Sequence, residues 1–289
     1  MKHFFIILFS CSFFLGKISA VHAQDLPRME DSLITTADSM YNAFIPEMRQ
    51  QYCEMFVKQL VRALKTPNSY NYPFSKLDTV INIIQPEDKS FRIFNWAVAI
   101  SHINIRYYGA IQLQGEQLKL YPLIDHSNEL THGIEDSILT NTNWYGAIYY
   151  EIITKEVNGK KIYSMIGKNA ASITSNIKLI DPMQLTDKGA VFGAAIFNKA
   201  GKKINRFVLE YRKDVNVSMK WDNEYHAITF DRLISQMNDP NRKNTFVPTG
   251  QYDGFRWENE KWTLVEDIIP VQVFKDGEAP IVQPVAPKE

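Results

Sequence analysis

Apolar residues recur at spacings of three and four between residues 31 and 65, which predicts two amphipathic helices. Pro46 suits the first turn of the second helix, where its missing N–H would have no partner in any case. A shorter pattern of the same kind predicts a third helix over residues 76–84. The predicted buried stripe of the second helix is Met48, Tyr52, Met55, Phe56, Leu60, Ala63 and Leu64, and that of the third is Leu77, Val80, Ile81 and Ile84.

From Phe91 onward the apolar residues alternate with polar ones, which is typical of β-strands. Short turn sequences separate many of the runs, and Asn158–Gly159 is the strongest because both residue types tolerate the positive φ of a tight hairpin. Connections this short join antiparallel neighbours, so we expect an α+β protein with N-terminal helices followed by a long antiparallel β meander, as a curled sheet or two packed sheets. The predicted strands are 91–98, 103–113, 118–124, 145–154, 161–167, 190–197, 204–211, 215–220, 225–231, 251–257 and 261–266.

Two polar stretches interrupt the β pattern. Asp181–Pro182 is typical of a turn, and residues 238–250 form the longest polar interruption in this half of the chain. Long loops on rigid sheets often carry function, so the second stretch could bind a partner, although an ordinary surface loop is the simpler interpretation.

The first residues have the layout of a cleavable signal peptide. Lys2 precedes an apolar run from Phe4 to Leu15, and the small residues up to Ala23 provide a cleavage site. The run is too short to span a bilayer as a helix. Cys11 also suggests a lipoprotein signal, but Phe9 stands where a small residue is usual and the apolar run continues past the cysteine. We therefore expect cleavage after Ala23 rather than lipidation.

The patterns divide the chain into four segments: a signal peptide (1–23), a helical N-terminal segment (24–74), a β-rich domain (75–274) and a disordered, proline-rich tail (275–289). Cleavage would remove two lysines and no acid from a chain with 32 basic and 32 acidic residues, leaving a net charge of −2. That balance does not favour nucleic acid as a partner. The processed chain has no second long apolar stretch, so we expect no transmembrane segment in it, and its single cysteine, Cys53, is expected to be buried and inert.

Residues 125–136 hold the densest cluster of metal-ligand side chains. His126, Glu129 and His132 combine imidazole and carboxylate groups that suit zinc. Residues six apart do not share a helix face, so a loop would have to bring the two histidines together. A solvated polar loop is the competing interpretation, and no sequence motif assigns a catalytic residue or a cofactor.

Several segments of the β region resemble, as a set, an uncharacterised family of exported proteins from Bacteroidota-type bacteria. The resemblance covers residues 75–270 and implies no activity and no catalytic residues, because that family has none assigned. It implies residence in the periplasm or attachment to the cell envelope. The segments are 143–150, 163–167, 191–197, 207–211, 228–233 and 252–255.

These observations favour an exported, non-enzymatic binding or structural module whose partner is an envelope protein or a small ligand. One alternative is an exported hydrolase, whose activity could depend on a metal held by His126, Glu129 and His132. Another is a carrier for a small apolar ligand inside a curled sheet. Four tryptophans at strand ends could stack on a ligand, but packing is the interpretation we favour, with Trp257 and Trp262 paired across a hairpin.

Overall fold

A computed structural model describes residues 18–101, 103–130, 133–170, 172–199 and 201–270, with side chains from Asp25 onward. The predicted tail (275–289) and most of the predicted signal peptide (1–23) lie outside these residues. None of the described helices is both long enough and apolar enough to cross a membrane.

Two helices open the fold, as the apolar spacing predicts. They are α1 (Ile18–Asn42) and α2 (Pro46–Leu64), and Pro46 occupies the first turn of α2. The buried stripe of α2 is narrower than expected, because Met48 and Met55 are exposed. Its buried members are Cys53, Phe56, Leu60, Ala63 and Leu64.

The predicted third helix is wrong. A single 3₁₀ turn (Leu77–Thr79) is followed by strand β1 (Asn82–Ile84), which pairs with β2. Glu30 of α1 explains the change, because its Oε1 accepts hydrogen bonds at 2.9 Å from the backbone N–H groups of both Lys76 and Leu77. The turn is thus fixed against α1, and the residues that follow it pair with the otherwise free edge of β2. Leu77 and Ile81 of the expected buried face are buried, and Val80 and Ile84 are half-buried.

The strands form three sheets rather than one curled sheet or two, and the α+β class with a mainly antiparallel β region is confirmed. The helix-side sheet has the order β1-β2-β3-β4, and the middle sheet has the order β5-β9-β8-β7-β6 with β12 also paired to β8. The outer sheet has the order β11-β10-β16-β15-β14-β13, in which β10 and β16 are parallel. The remaining strands are β2 (Phe91–Ala99), β3 (Ile105–Leu113), β4 (Leu120–Ile124), β5 (Leu139–Thr140), β6 (Ile148–Val157), β7 (Lys160–Asn169), β8 (Ser175–Thr186), β9 (Gly189–Phe192), β10 (Phe197–Lys199), β11 (Lys202–Ile204), β12 (Phe207–Arg212), β13 (Met219–Asp222), β14 (Ala227–Ser235), β15 (Phe246–Glu258) and β16 (Lys261–Val265).

The four layers are the helices, the helix-side sheet, the middle sheet and the outer sheet, with a core between each adjacent pair. Alternation along β2 and β7 creates this stacking, because successive side chains point to opposite faces of a strand. Phe94 of β2 packs against the helices and Phe91 packs against the middle sheet. In β7, Met165 faces the helix-side sheet and Ile166 faces the outer sheet. The middle sheet is therefore buried on both faces.

The predicted turn at Asp181–Pro182 is wrong, because both residues lie inside β8. Along one side of β8 the partner changes from β12, which pairs with residues 175–180, to β9, which pairs with residues 183–186. Pro182 lies at this change of partner, where a missing backbone donor costs least. No strand is predicted over residues 175–186, where β8 lies, and several other boundaries also differ from prediction. Gly193, at φ +95°, separates β9 from β10 within the predicted strand 190–197, and β15 begins at Phe246 inside the predicted loop 238–250.

Candidate functional site

The expected metal ligands do not assemble among the described residues. His126 Nδ1 lies 3.0 Å from Glu129 Oε2, and the Glu129 side chain is 76% exposed. His132 lies outside the described residues. In the part of the chain that is described, no three His, Cys, Asp or Glu side chains are placed to hold one ion. The triplet His126, Glu129 and His132 stays a prediction.

The segment that carries His126 is nevertheless held firmly, by its neighbour Asp125. Asp125 Oδ2 accepts the backbone N–H of Tyr107 at 2.8 Å, and Oδ1 accepts those of Ser127 at 2.9 Å and Gly146 at 3.2 Å. A side chain at Gly146 would collide with this carboxylate, so glycine is required there by close approach. The contacts fix where the segment leaves β4 and passes over the edge of the middle sheet.

A cleft of about 760 Å³ lies beside this segment, along the outer edge of β12. Four consecutive β12 residues, Phe207, Val208, Leu209 and Glu210, line it. Successive residues of a strand point to opposite faces, so a cavity that touches all four meets the strand edge-on. The cleft therefore occupies the place where a further strand of the middle sheet would lie.

The wall on the outer-sheet side has an apolar part, which we call the apolar wall, beside the charged residues Asp231, Arg232 and Asp253. Phe230, Leu233, Phe246 and Leu264 line it, together with Phe207 and Leu209 from β12. Phe207 and Phe230 are themselves part of the core between the middle and outer sheets, with ring centroids 4.7 Å apart. This wall is thus a rigid surface continuous with the core.

The opposite wall is acidic. It is formed by residues 127–130 and 133–136, by Tyr145 and by the other face of β12, and its charged lining residues are Glu135, Asp136 and Glu210. No lysine or arginine is among the lining residues that we assign to this wall from the described chain. Lys202 lies nearby, 3.4 Å from Asp136. This is an exposed pair, so it neutralises the wall only weakly.

Arg206 positions the acidic wall. Its backbone N–H donates to the carbonyl of Glu135 at 3.0 Å, and its Nη1 donates to the carbonyl of Ile134 at 2.5 Å. Its Nε donates to Asp181 Oδ1 at 2.7 Å, inside the core. Asn205 adds two further bonds, to the carbonyls of Glu135 and Asp136. A fully buried ion pair therefore connects the core to the wall of the cleft.

Three polar side chains lie at this wall. Ser127 lines the cleft, and its buried Oγ has no hydrogen-bond partner among the described residues. Glu210 uses Oε1 to accept the Ser175 hydroxyl at 2.6 Å. Tyr145 is almost fully buried, and burial, followed by the nearby Glu210 carboxylate, raises the pKa of its phenol. Its hydroxyl therefore stays protonated at neutral pH and can donate to an acceptor.

The basic residues of the lining lie on the other side of the cleft. Lys199 Nζ stands 5.3 Å from the ring centroid of Phe207, and Lys243 Nζ stands 4.6 Å from that of Phe246. Arg232 is occupied by carboxylates, because its Nε lies 3.0 and 3.1 Å from the two oxygens of Asp253 and its Nη1 lies 3.0 Å from Asp267. The lining is thus acidic on one side, whereas the other side carries Lys199, Lys243 and the carboxylate-paired Arg232.

Sequence reasoning indicated two of the segments that border the cleft, for other reasons. Residues 125–136 contain the candidate metal ligands, and the stretch 238–250 is a candidate partner loop. Lys243 and Phe246 of that stretch line the cleft. The edge of β12 was missed, because its exposure depends on the pairing of β12 with β8, which no local pattern encodes.

The tryptophans contribute to packing, as expected. Trp144 and Trp262 are fully buried, and Trp257 pairs with Trp262 across the β15–β16 hairpin at a centroid distance of 5.0 Å. Trp262 Nε1 also donates to Ser164 Oγ of the middle sheet at 2.9 Å. This bond ties the outer sheet to the middle sheet.

No family model matches this chain, and no curated protein or solved structure matches it either. Function is therefore inferred from the chemistry of the cleft alone.

Proposed function

We propose that the protein is a binding protein that takes up its ligand in the cleft along β12. The observation that carries this proposal is the cleft itself, about 760 Å³ in volume, between a rigid apolar wall and an acidic wall. Ligand sites in proteins are commonly concave, about 300–1,000 Å³ in volume, and mostly apolar with a few polar groups that orient the ligand. Tyr145 and Glu210 supply such groups here.

The apolar wall would supply most of the affinity. Burying apolar surface stabilises a complex by roughly 25 cal/mol per Å² before the costs of association are subtracted. The wall is continuous with the core, so little of that gain is lost in ordering its side chains. The acidic wall, held by Arg206, would then select the ligand by charge.

We further propose that the protein is exported and acts in the periplasm or at the cell envelope. Support comes from the basic start, the apolar run and the small residues before Gln24. Pro27 lies inside α1, and proline is well tolerated only in the first turn of a helix. In a chain that begins at Gln24, Pro27 would occupy that first turn.

Export is tested by intact-mass measurement of the protein recovered from an envelope fraction. A mass corresponding to residues 24–289, without lipid, is the expected result. An unprocessed chain in the cytosolic fraction would refute export, and a lipid-modified Cys11 would refute cleavage after Ala23.

The cleft is tested with the fluorescent dye 8-anilinonaphthalene-1-sulfonate, which brightens on apolar surfaces. We expect saturable binding that is lost in Leu209→Glu, because the new carboxylate would enter the apolar wall. Phe246→Ala is a second, milder variant at the same wall. Ile103→Glu is the matched control, because Ile103 is an exposed apolar residue that does not line the cleft. Equal dye binding by all four folded proteins would refute the proposed site.

A further inference from the structure

The free edge of β12 is the feature that identifies a ligand class. β12 pairs with β8 along its whole length, from Phe207↔Ile180 to Arg212↔Ser175. Among the described residues, no strand pairs with its other edge. In an antiparallel pair, every second residue directs its N–H and C=O toward the partner and the intervening residues direct theirs away. The outward groups of β12 therefore face the cleft.

An open strand edge is a template for another strand, and proteins commonly cover or blunt such edges. Both ends of this edge are covered. Directly before β12, the backbone N–H of Arg206 donates to the carbonyl of Glu135 at 3.0 Å. At the other end Arg212 Nη1 donates to Gln236 Oε1 at 2.6 Å, and the 3₁₀ turn Lys243–Thr245 lies beside β12. Residues Phe207 to Glu210 remain open to the cleft. The available edge is about four residues long, or roughly 13 Å at the rise of a strand.

We propose that the ligand of this cleft is an extended polypeptide segment that binds as an additional strand on the edge of β12. The inference rests on the proposed function and specifies its ligand. Backbone hydrogen bonds to β12 would supply affinity that does not depend on the sequence of the segment, and the two walls would supply specificity.

The two walls define the preferred side chains. A strand added beside β12 projects its side chains alternately to the two faces of the middle sheet. One set would meet the apolar wall at Leu209, Phe230 and Leu264. The other set would meet the acidic wall at Glu135, Asp136 and Glu210. Charge complementarity thus favours a segment in which apolar residues alternate with lysine or arginine.

The test uses an acetylated and amidated hexapeptide of alternating valine and lysine, titrated into the full chain by calorimetry. We expect saturable binding that is competitive with the dye. Replacing each lysine by glutamate should weaken binding about ten-fold or more, because like charges would then face each other. Glu210→Gln should weaken binding of the lysine peptide several-fold, and Glu258→Gln, at an exposed acid of the β15–β16 hairpin that does not line the cleft, should have no effect.

Two N-methylated peptides give the sharpest test. Methylation at alternate residues removes the backbone donors from one edge of the peptide strand and leaves the side chains unchanged. One methylation phase should weaken binding about ten-fold or more, and the other should leave it almost unchanged, because only one edge of the added strand bonds to β12.

The outcomes separate the two proposals. If the dye binds at the cleft but no peptide competes, the ligand is a small amphiphile and the strand proposal is wrong, while the proposed function stands. If the peptide binds but both methylation phases behave alike, binding is electrostatic and the strand proposal is again wrong. If Leu209→Glu changes neither dye nor peptide binding, the proposed function itself is wrong.

Discussion

Arg206 and Asp181 form an ion pair in which neither side chain has any exposed surface, with Nε and Oδ1 2.7 Å apart. The second carboxylate oxygen of Asp181 accepts the Tyr149 hydroxyl at 2.8 Å, and Tyr149 in turn accepts Trp144 Nε1 at 2.8 Å. The network lies in the core between the helix-side and middle sheets. Because Arg206 also holds the acidic wall, core stability and the shape of the cleft depend on the same residue.

Breaking the buried pair should be costly. We expect Asp181→Ala to lower the free energy of unfolding by about 3–5 kcal/mol, because it leaves the Arg206 guanidinium buried without its counter-charge. Urea denaturation followed by circular dichroism measures the change. Asp214→Ala is the matched control, since Asp214 pairs with Arg212 on the surface and its side chain is 70% exposed. The control should cost less than about 1 kcal/mol. Similar losses in the two variants would contradict this account of the pair.

Lys178 should make the stability depend on pH. Burial, with a smaller contribution from Lys168, lowers the pKa of Lys178 to about 8 from an ordinary 10.5. The folded state therefore disfavours the charged form, so the free energy of unfolding should rise as the pH increases from about 8 to 10.5, where the unfolded chain still binds the proton. Lys178→Met should lack this rise, and below pH 7 the difference in free energy of unfolding between the variant and the parent should stay constant. If the free energies of unfolding of the two proteins changed with pH in parallel up to pH 10.5, the pKa of Lys178 would not be lowered in the folded state.

The thiol of Cys53 should be unreactive in the folded protein. Cys53 is buried between α2 and the helix-side sheet, where Trp96 Nε1 lies 3.5 Å from its Sγ, and burial raises the pKa of the thiol. In a chain starting at Gln24, where Cys53 is the only cysteine, Ellman's reagent should react with it only after denaturation. Met55→Cys, which places a thiol at a half-exposed position on the same helix, should react at once. Rapid labelling of the parent chain would contradict the packing of α2.

Gly159 should be required by the hairpin between β6 and β7. Asn158 and Gly159 have φ values of 51° and 72°, and the strands pair directly on either side of them. Gly159→Ala should cost about 1 kcal/mol, because a Cβ disfavours this conformation even though open space surrounds it. Lys160→Ala, at the neighbouring exposed strand position, is the control and should be nearly neutral. An equal effect at both positions would refute the backbone explanation.

Local patterns were enough to predict the two helices and most strands. The three-to-four spacing of α2 and the alternation in β12 follow directly from which face is buried. The same patterns gave wrong predictions at two segments whose conformation depends on tertiary contacts. Residues 76–84 have helical spacing, but Glu30 and the edge of β2 determine their conformation. Asp181–Pro182 looks like a turn, but the change of partner along β8 accommodates the proline.

The cleft was beyond sequence reasoning for a related reason. Its walls come from the segment after β4, from β12 and from strands β14 to β16, which are far apart in the chain. The residues that form it carry no motif, since Phe207 and Glu210 look like any alternating strand. Only the long-range pairing of β12 with β8 leaves their edge open.

The parallel pairing of β10 with β16 has a consequence for the order of folding. Phe197 lies opposite Trp262, so the outer sheet joins two segments of the chain that emerge at very different times during synthesis. Until Trp262 has left the ribosome, the core between the middle and outer sheets lacks one of its large aromatic rings. Pairing of such distant segments is slow and leaves apolar surface uncovered meanwhile. We therefore expect the nascent chain to depend on a holding chaperone until nearly its last strand has been made.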